Sequence, residues 1–403
     1  MGSATEEADG LVRVGISAEF VGIKPCGVET YTRTLLAGLA EIEGPHKFAA
    51  YVSSREAMDL VPWGPNVAPR LVRPYASWFR VPVTLPLELL RHPIDLLHVQ
   101  NWAPPWSPCP AVATIHDLSW EVQPDLYPPM LRYRLSLLVR ATARRAVRVV
   151  TDSHHSAADL VRFYDVPPEK IRVVYPALDP RFTPSPALAT DEYRARHGLI
   201  QPYVLYLGSI EPRKNVDVLI RAYATLRRDR QIPHQLVIAG PALRLFQEVL
   251  DLPAALGIEQ DVRFLGIVAP DDVSPLFGGA DAFCYLAGYE GFGYPALEAM
   301  ACGAPVLAAN TASLPEVLGD AALLVDPHKP GDVARGLERL LTDGDLRNLL
   351  RARGLKRATH FEPRSFAQGL VSIYEECAQA AGRAAIGRRP AGAAGTAQRG
   401  SPG

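Results

Sequence analysis

Two glutamates with seven residues between them bracket a glycine-rich turn in the stretch DAFCYLAGYEGFGYPALEAMACGAP, residues 281–305. Glu290 sits in the turn, and Glu298 lies one turn into a helix expected from about Pro295. A short apolar run, 282–286, reads as the strand that feeds the turn. Proline is tolerated in a helix's first turn, and Gly303 followed by Pro305 stops the helix. A glycine-rich loop that opens a helix leaves unpaired backbone N–H groups and the positive end of the helix dipole, a seat for phosphate. Carboxylates beside such a seat accept hydrogen bonds from the neighbouring hydroxyls of a sugar. The same residues would also make an ordinary strand-to-helix turn with solvated glutamates, and the stretch alone leaves both readings open.

Two cations occur in a comparable place. In LGSIEPRKNV, Arg213 and Lys214 follow an apolar run, and Asn215 is a suitable N-cap for the next helix. An arginine fork beside a lysine point charge matches a diphosphate and would stabilise it as a leaving group without a metal. A solvated charged turn is the competing reading. His116-Asp117 directly follows the run AVATI, at the carboxyl end of an expected strand, where α/β folds keep their sites. Histidine there can donate a hydrogen bond or titrate near neutrality, or serve the structure only. The first loop, FVGIKPCGVET, places Gly22 and Gly27 before a helix, a weaker phosphate signal.

The elements that must position these groups alternate. Apolar runs at 11–16, 48–52, 71–72, 96–99, 111–115, 147–151 and 171–174 read as strands, with a helix at 29–41 and helical stretches between several others. The Pro-rich segment LDPRFTPSP, 178–186, reads as a linker. The pattern then restarts, with strands at 203–207, 236–239, 262–265, 282–286, 306–308 and 323–325. Helices are expected at 215–228, 331–342, 345–358 and, amphipathically, 363–380. Alternation of this kind predicts parallel sheets covered on both faces, here as two doubly wound domains facing across a cleft. Residues 1–10 and the Ala/Gly/Arg-rich tail 381–403 are expected to be disordered.

Several function classes are excluded by what the 403 residues lack. A formal net charge of -1 gives no electrostatic reason to expect nucleic acid as a partner. Five scattered cysteines form no C-x-x-C pair, which argues for a reducing compartment and against a structural metal. The acidic start MGSATEEADG is no signal peptide, and no apolar run is long enough to span a bilayer, so a cytoplasmic protein is expected. There is no P-loop, no G-x-S-x-G and no G-x-G-x-x-G after either domain's first strand, which disfavours P-loop kinases, nucleophilic hydrolases and ordinary dehydrogenases. Asp343-Gly344-Asp345 imitates a metal motif but falls between two helices, where aspartates serve as turn and cap residues. His154-His155 after Ser153 reads as a helix start. Residues 130–148 form a basic amphipathic helix that suits either a solvated face or an anionic membrane surface.

Together these segments resemble glycosyltransferase family 4. The resemblance rests on GSIEPRKN at 208–215, the E-x7-E segment Glu290–Glu298, MACGAPV at 300–306, SLPEV at 313–317, and Val325-Asp326-Pro327. In the first half it rests on HDLS at 116–119 with Tyr127-Pro128-Pro129, on Ser153 and on PEKI at 168–171, which resemble bacterial mannosyltransferase-like members. It spans roughly 11–380 and implies a retaining enzyme of the GT-B fold, two Rossmann-like domains, that uses a nucleotide-sugar without metal or other cofactor. The implied domains are 11–180 on the acceptor side and 187–362 for the donor, with 363–380 packing back on the first.

The implied roles follow residue by residue. Arg213 and Lys214 hold the donor diphosphate, Glu298 the ribose and Glu290 the transferred sugar. Gly291, Phe292, Gly293 and Tyr294 help to position the donor, and His116 lies beside the reacting centre. Gly27 lets the first loop approach the phosphate, and Val268 reaches the base through its backbone. The family's Gly-Gly is here Cys26-Gly27, which puts that approach in question. Mannose is the favoured sugar, and the acceptor is a sugar, lipid-linked or small-molecule hydroxyl, with peripheral membrane contact as an open option. A GT-B epimerase or sugar phosphorylase is the alternative enzyme, and a non-catalytic nucleotide-sugar-binding protein the alternative class.

Overall fold

The computed structural model describes residues 11–23, 26–242 and 248–387. Seven strands make the first sheet: β1 (Arg13–Ser17), β2 (Lys47–Val52), β3 (Val67–Leu71), β4 (Leu96–Gln100), β5 (Ala111–Thr114), β6 (Arg148–Thr151) and β7 (Ile171–Val173). Six make the second: β8 (Tyr203–Leu207), β9 (Gln235–Ala239), β10 (Val262–Gly266), β11 (Ala282–Tyr285), β12 (Val306–Ala309) and β13 (Ala322–Val325). All pairings are parallel, in the orders β3-β2-β1-β4-β5-β6-β7 and β10-β9-β8-β11-β12-β13. Their sequences explain this: runs such as YVLY and AFCY are buried at every position, as strands covered by helices on both faces must be.

In each sheet the order of winding reverses once, between β1 and β4 and between β8 and β11. A doubly wound sheet opens a crevice at that point, beyond the carboxyl ends of the strands. The loop bearing Arg213 and Lys214 follows β8, and the loop bearing Glu290 follows β11. The two halves of the E-x7-E and R-K signals therefore leave adjacent strands at the switch point.

Three elements differ from the sequence expectation. The third strand starts at Val67 rather than 71, because Pro69 and Arg70 interrupt its apolar run. It lies at the edge of the sheet, where a proline's missing N–H is tolerated. The segment 178–186 is no loose spacer: Leu178 and Phe182 are buried in the second domain's core, and the Leu178 amide donates to the Phe361 carbonyl at 2.8 Å. The last helix runs Pro363–Gly387, so residues 381–387 of the expected disordered tail are helical. Their alanines are strong helix formers, and the helix simply continues. Residues 1–10 and 388–403 lie outside the described residues.

That last helix crosses back to the first domain. Phe366, Ala367, Leu370 and Tyr374 share a buried cluster with Tyr31, Leu35 and Leu39 of the helix Gly27–Ala40. Glu376 receives Arg148 Nε at 3.1 Å and Arg172 at 3.0 Å, and Tyr374 reaches His98 on β4 at 2.6 Å. Burial and the neighbouring His116 push the His98 pKa down to about 3, so the ring stays neutral. A neutral ring can bridge two hydroxyls, here Tyr374 and Thr114 at 2.7 Å. Among the described residues, no helix is long and apolar enough to cross a membrane.

Candidate active site

The turn after β8 is a single tight 3-10 turn, Pro212–Lys214, closed by Asn215 at φ 52°. Asn215 is not the side-chain N-cap expected of it; its amide donates instead to the Leu286 carbonyl at 2.8 Å, tying this turn to the β11 loop. The Gly288 amide adds a second tie, to the Arg213 carbonyl at 2.8 Å. With the two loops pinned together, Glu290 Oε1 receives three donors: Arg213 at 2.7 Å, Lys214 Nζ at 2.6 Å and the Tyr285 hydroxyl at 2.8 Å. Arg213 also binds the Tyr289 carbonyl at 2.9 Å and Glu211 at 2.9 Å, and Lys214 donates to the Tyr285 hydroxyl.

The electrostatics follow from burial against pairing. Burial alone would raise the Glu290 pKa, but Arg213 and Lys214 outweigh it and hold the carboxyl at about 2. Burial lowers the Lys214 pKa, with Glu290 opposing. For Arg213 burial also works against the charge, yet Glu290 and Glu211 together raise its pKa above an already high ordinary value. Both cations thus share one carboxylate that opposes the cost of their burial, and both are placed to be shared with an incoming anion.

Gly293, at φ 97°, leads into the helix Tyr294–Ala301, whose first turn has no side-chain cap. From the other domain, the helix Gly27–Ala40 begins against the same spot: a side chain at Gly27 would point at the Tyr294 ring, 3.6 Å away. Two helix N-termini from the two domains therefore meet here, a few residues along the chain from Glu290, and their positive ends would favour a bound anion. Cys26 is exposed with an extended backbone open to any residue. Gly22, weighed with Gly27 as a phosphate contact, donates its amide to Glu29 at 3.1 Å.

Across the cleft, His116 Nδ1 lies 2.7 Å from Asp152, whose residue follows β6 directly. That contact fixes the ring and turns Nε2 toward Gln100, 3.5 Å away, while Tyr31 packs edge-on against the ring. Burial raises the Asp152 pKa, and His116 opposes the shift. Gly291 touches this wall from the donor side. A Cβ there would overlap the His116 carbonyl oxygen and meet the Asp117 side chain at 3.0 Å, so only glycine lets the two domains approach. Tyr289 also crosses over, accepting from the Leu118 amide at 3.2 Å and donating to Asp159 at 2.7 Å. Glu316, in the SLPEV segment, caps the first domain's helix His154–Tyr164 by accepting from the His154 and His155 amides at 2.7 and 3.2 Å. This role for glutamate at the start of a helix is favoured by the helix dipole.

The structure brings His116, Arg213, Lys214, Glu290, Gly27, Gly291, Gly293 and Tyr294 to one cleft. Phe292 is different: it is buried and packs its ring against Phe361 at 5.6 Å, so any contact it makes runs through its backbone. Val268 lies just beyond β10, partly buried against the second core, at the carboxyl edge of the sheet. Tyr285, Asp152, Tyr289, Glu211 and Glu316 escaped sequence reasoning. Tyr285 ends an apolar strand and reads as core, and nothing in sequence ties Asp152 to a histidine 36 residues away. The packing of the turn after β9 on that after β8 was also missed: Gly240, at φ 124°, lies so close to the Gly208 carbonyl that no side chain fits, and its amide donates to the Gly266 carbonyl at 2.6 Å. Asp343 caps the helix Gly344–Ala358 through the Leu346 amide at 2.9 Å.

Glu298 is half-buried, with its carboxylate hydrogen-bonded to no other side chain or amide among the described residues. Burial pushes its pKa up to about 7, an effect Arg181 partly offsets and Asp179 strengthens. An unfolded glutamate ionises near its ordinary value, so between that value and about pH 7 folding takes up a proton, and stability falls as pH rises through this window. Glu298→Gln removes that dependence. The variant is expected to match the wild type in Tm at pH 4 and to melt a few degrees higher at pH 8. Equal melting temperatures at pH 8 would contradict the burial argument.

Comparison with known proteins agrees with this geometry. Residues 25–182 match the family model described as Glycosyltransferase Family 4, and residues 190–357 match that described as Glycosyl transferases group 1. The chain is 32% identical over 269 residues to the O-antigen chain mannosyltransferase B of Escherichia coli, covering 66% of this chain and 70% of that protein. It is 37% identical over 255 residues to a D-inositol 3-phosphate glycosyltransferase of Salinispora arenicola, covering 59% of this chain but only 56% of that protein. In fold it resembles the sucrose-phosphate synthase of Thermosynechococcus elongatus, with TM-score 0.74 at 20% identity over 91% of this chain and 99% of the other. It also resembles Anabaena Alr3699/HepE in complex with UDP and glucose, with TM-score 0.72 at 19% identity over 91% and 100%. A cleft built from Arg213, Lys214, Glu290 and His116 on two facing doubly wound sheets thus has its place: the chain belongs to glycosyltransferase family 4 and is a glycosyltransferase of the GT-B fold.

Proposed function

We propose that this glycosyltransferase moves a hexose, mannose before others, from a nucleoside diphosphate sugar to a hydroxyl acceptor, with retention and without a metal. The observation that carries the reading is the convergence of Arg213 and Lys214 on Glu290 at the sheet's switch point. Mannose is favoured because one relative is named an O-antigen chain mannosyltransferase; the nucleotide is favoured because a structural neighbour is described in complex with UDP and glucose.

As the anomeric C–O bond breaks, negative charge grows on the leaving diphosphate, and Arg213 and Lys214 stabilise it there. Fixed cations make the metal unnecessary for this step. Three carboxylates around Arg213 and His116 are each engaged. Glu290 is held by two cations, Asp152 by His116, and Asp117 accepts from the Ser119 amide and hydroxyl at 2.9 and 2.8 Å. None is free to attack the sugar, which favours approach of the acceptor on the face the diphosphate leaves. The acceptor hydroxyl forms the new bond to the anomeric carbon and passes its proton to the departing phosphate oxygen. Glu298 takes the ribose hydroxyls, Glu290 the sugar, and His116 lies beside the reacting carbon.

A thermal-shift series with nucleoside diphosphates and nucleotide-sugars tests the donor site. A true donor at 100 times its Kd should add about 2.7 kcal/mol of stability. No shift with any of them would overturn the reading. With the donor found, product anomers read by NMR test retention, and turnover unchanged by EDTA tests metal independence. Donor epimerisation without acceptor, or phosphate-dependent sugar release, would replace transfer by another chemistry.

A further inference from the structure

We propose that the first domain carries a second anion site, apart from the cleft, that takes a small organic phosphate monoester. It arises where one face of the first sheet is incompletely covered. Side chains along β1, β2 and β3 alternate between two faces. Val14, Ile16, Phe48, Ala50 and Val67 point to one, buried in the cluster shared with the helix Gly27–Ala40 and the last helix. Their neighbours point to the other, where Arg13 pairs with Lys47, Ala49 with Ala68, and Tyr51 with Arg70. The helix Leu85–Arg91 covers part of this face, burying Leu85 and Leu89 with Tyr51 and Leu97. It stops at Arg91, and the chain runs on through His92-Pro93-Ile94 to β4. Beyond that helix Lys47 and Ala68 stay exposed and Ala49 half-buried.

The result is a cavity of about 420 Å³ with Ala49 and Ala68 in its floor. Arg13, Lys47, Arg70 and Arg91 line it, and none of its lining residues is Asp or Glu. Two carboxylates stand beside these cations. Asp95 accepts from Arg13 Nε and Nη2 at 3.3 and 3.2 Å, and Glu88 lies 3.4 Å from Arg70. Lys47 gives one N–H to the Pro65 carbonyl at 3.0 Å, and Arg91 has no carboxylate partner among the described residues. Four cations against two carboxylates leave a surplus of two positive charges. A phosphate monoester carries about two negative charges at neutral pH, the complement of that surplus. Arginine forks and a lysine point charge are the donors such a group takes.

Inorganic phosphate alone would leave most of this volume unfilled. Small-ligand pockets run from roughly 300 to 1,000 Å³, so the cavity has room for an organic body, and the alanine floor with Pro65 and Pro93 gives that body apolar contact. Two residues of the wall point to hydroxyls on it. Tyr51 and Asn66 are only 3% and 6% exposed, yet the Tyr51 hydroxyl and Asn66 Oδ1 have no hydrogen-bond partner among the described residues. The Asn66 amide is held by Nδ2, which donates to the Leu39 and Ile42 carbonyls at 2.6 and 2.9 Å. Its Oδ1 lies beside Gly64, also of the wall, 3.3 Å from where a Cβ would stand there. Buried polar atoms are seldom left unpaired, and a ligand hydroxyl can serve both. Arg13 and Lys47 are the first residues of β1 and β2, whereas the cleft lies beyond the carboxyl ends of the strands. The ligand is therefore no substrate at the reacting centre, and the site does not depend on the transfer proposed above.

The test is isothermal titration of the full chain with inorganic phosphate, a hexose 6-phosphate and adenosine monophosphate. At least one ester should bind, about tenfold or more tighter than inorganic phosphate, because its body covers apolar surface. The tighter of the two esters tells a sugar body from a nucleoside one. Lys47→Gln/Arg91→Gln removes two charges that no carboxylate holds and should weaken this binding by about tenfold or more. Ala68→Trp fills the floor and should abolish it with every charge in place. Both variants should keep the wild-type Tm and nucleotide-induced thermal shift, and Lys214→Ala should bind the ester as wild type does. Binding of neither ester, equal affinity for inorganic phosphate, or unaltered binding by Lys47→Gln/Arg91→Gln would each overturn the proposal. Loss of ester binding in Lys214→Ala would overturn it too, since the ester would then lie in the donor site. So would a wild-type dimer that Ala68→Trp converts to a monomer, since a second copy would then be what covers this face.

Discussion

Lys214→Ala and Arg213→Ala should each lower kcat by roughly 10²- to 10³-fold, about 3–4 kcal/mol of transition-state stabilisation. The expectation rests on where the two charges sit. Lys214 is buried and bonded to Glu290 and Tyr285, and Arg213 shares the same Glu290 oxygen while spanning to Glu211. Without substrate their charge is balanced by Glu290; when a diphosphate leaves, it meets two cations already desolvated and fixed. Removing either leaves Glu290 with the other and with Tyr285, so the carboxylate is not stranded and the fold should survive. The Glu290 pKa should rise from about 2, because one of the two charges that lower it is gone. Steady-state kinetics with Tm measured alongside decides the matter. A rise in KM at constant kcat would make these residues binders of the ground state alone, and near-normal turnover in both variants would remove them from the chemistry.

Gly291→Ala is expected to reduce transfer by roughly a hundred-fold while leaving nucleotide binding almost intact. The added methyl would overlap the His116 carbonyl and press on Asp117, backbone and side chain of the facing domain. Neither can retreat easily. His116 is held by Asp152 and its carbonyl by the Ser156 hydroxyl at 3.1 Å, while the Gly291 loop is pinned by Ser313 to the Glu290 carbonyl at 2.8 Å. The domains must then part by a fraction of an ångström to an ångström, and misplacement on that scale costs about 10² in rate when two reacting groups come from opposite walls. The Arg213–Lys214–Glu290 cluster, all in the second domain, is untouched, so the thermal shift with nucleotide should persist. Full activity in this variant would mean that the working enzyme does not use the domain contact seen here.

Local order was legible in the sequence wherever the signal was local. Strand β11, the glycine turn and the helix that follows it stand together between 282 and 301, and their apolar run, glycines and Pro295 announce them without help from the rest of the chain. The same holds for Asp343 as a cap and for the helix start at Ser153, since a cap bonds only to residues a turn away. Strand β3 was largely missed because its proline is acceptable only at a sheet edge, and edge position is a property of the assembled sheet. Asn215 looked like a cap, but its backbone is left-handed where a cap is extended, and its side-chain Nδ2 donates to the Leu286 carbonyl just past β11.

The sequence by itself determined that two βα-rich units exist, that Glu290, Arg213, Lys214 and His116 follow strand ends and that Glu298 lies in the helix after the glycine turn, because strand, turn and helix propensities act over a few residues. Only the tertiary structure decided how those groups meet. That Glu290 binds both cations through one oxygen, with Tyr285 as a third donor, follows from β8 and β11 being neighbours across a break in winding, a pairing between segments some 70 residues apart. That Asp152 holds His116, and that Gly291 must be glycine, follow from sheet order and from the approach of two domains. Such contacts depend on which distant surfaces bury each other, and composition and spacing along one chain do not encode that locally.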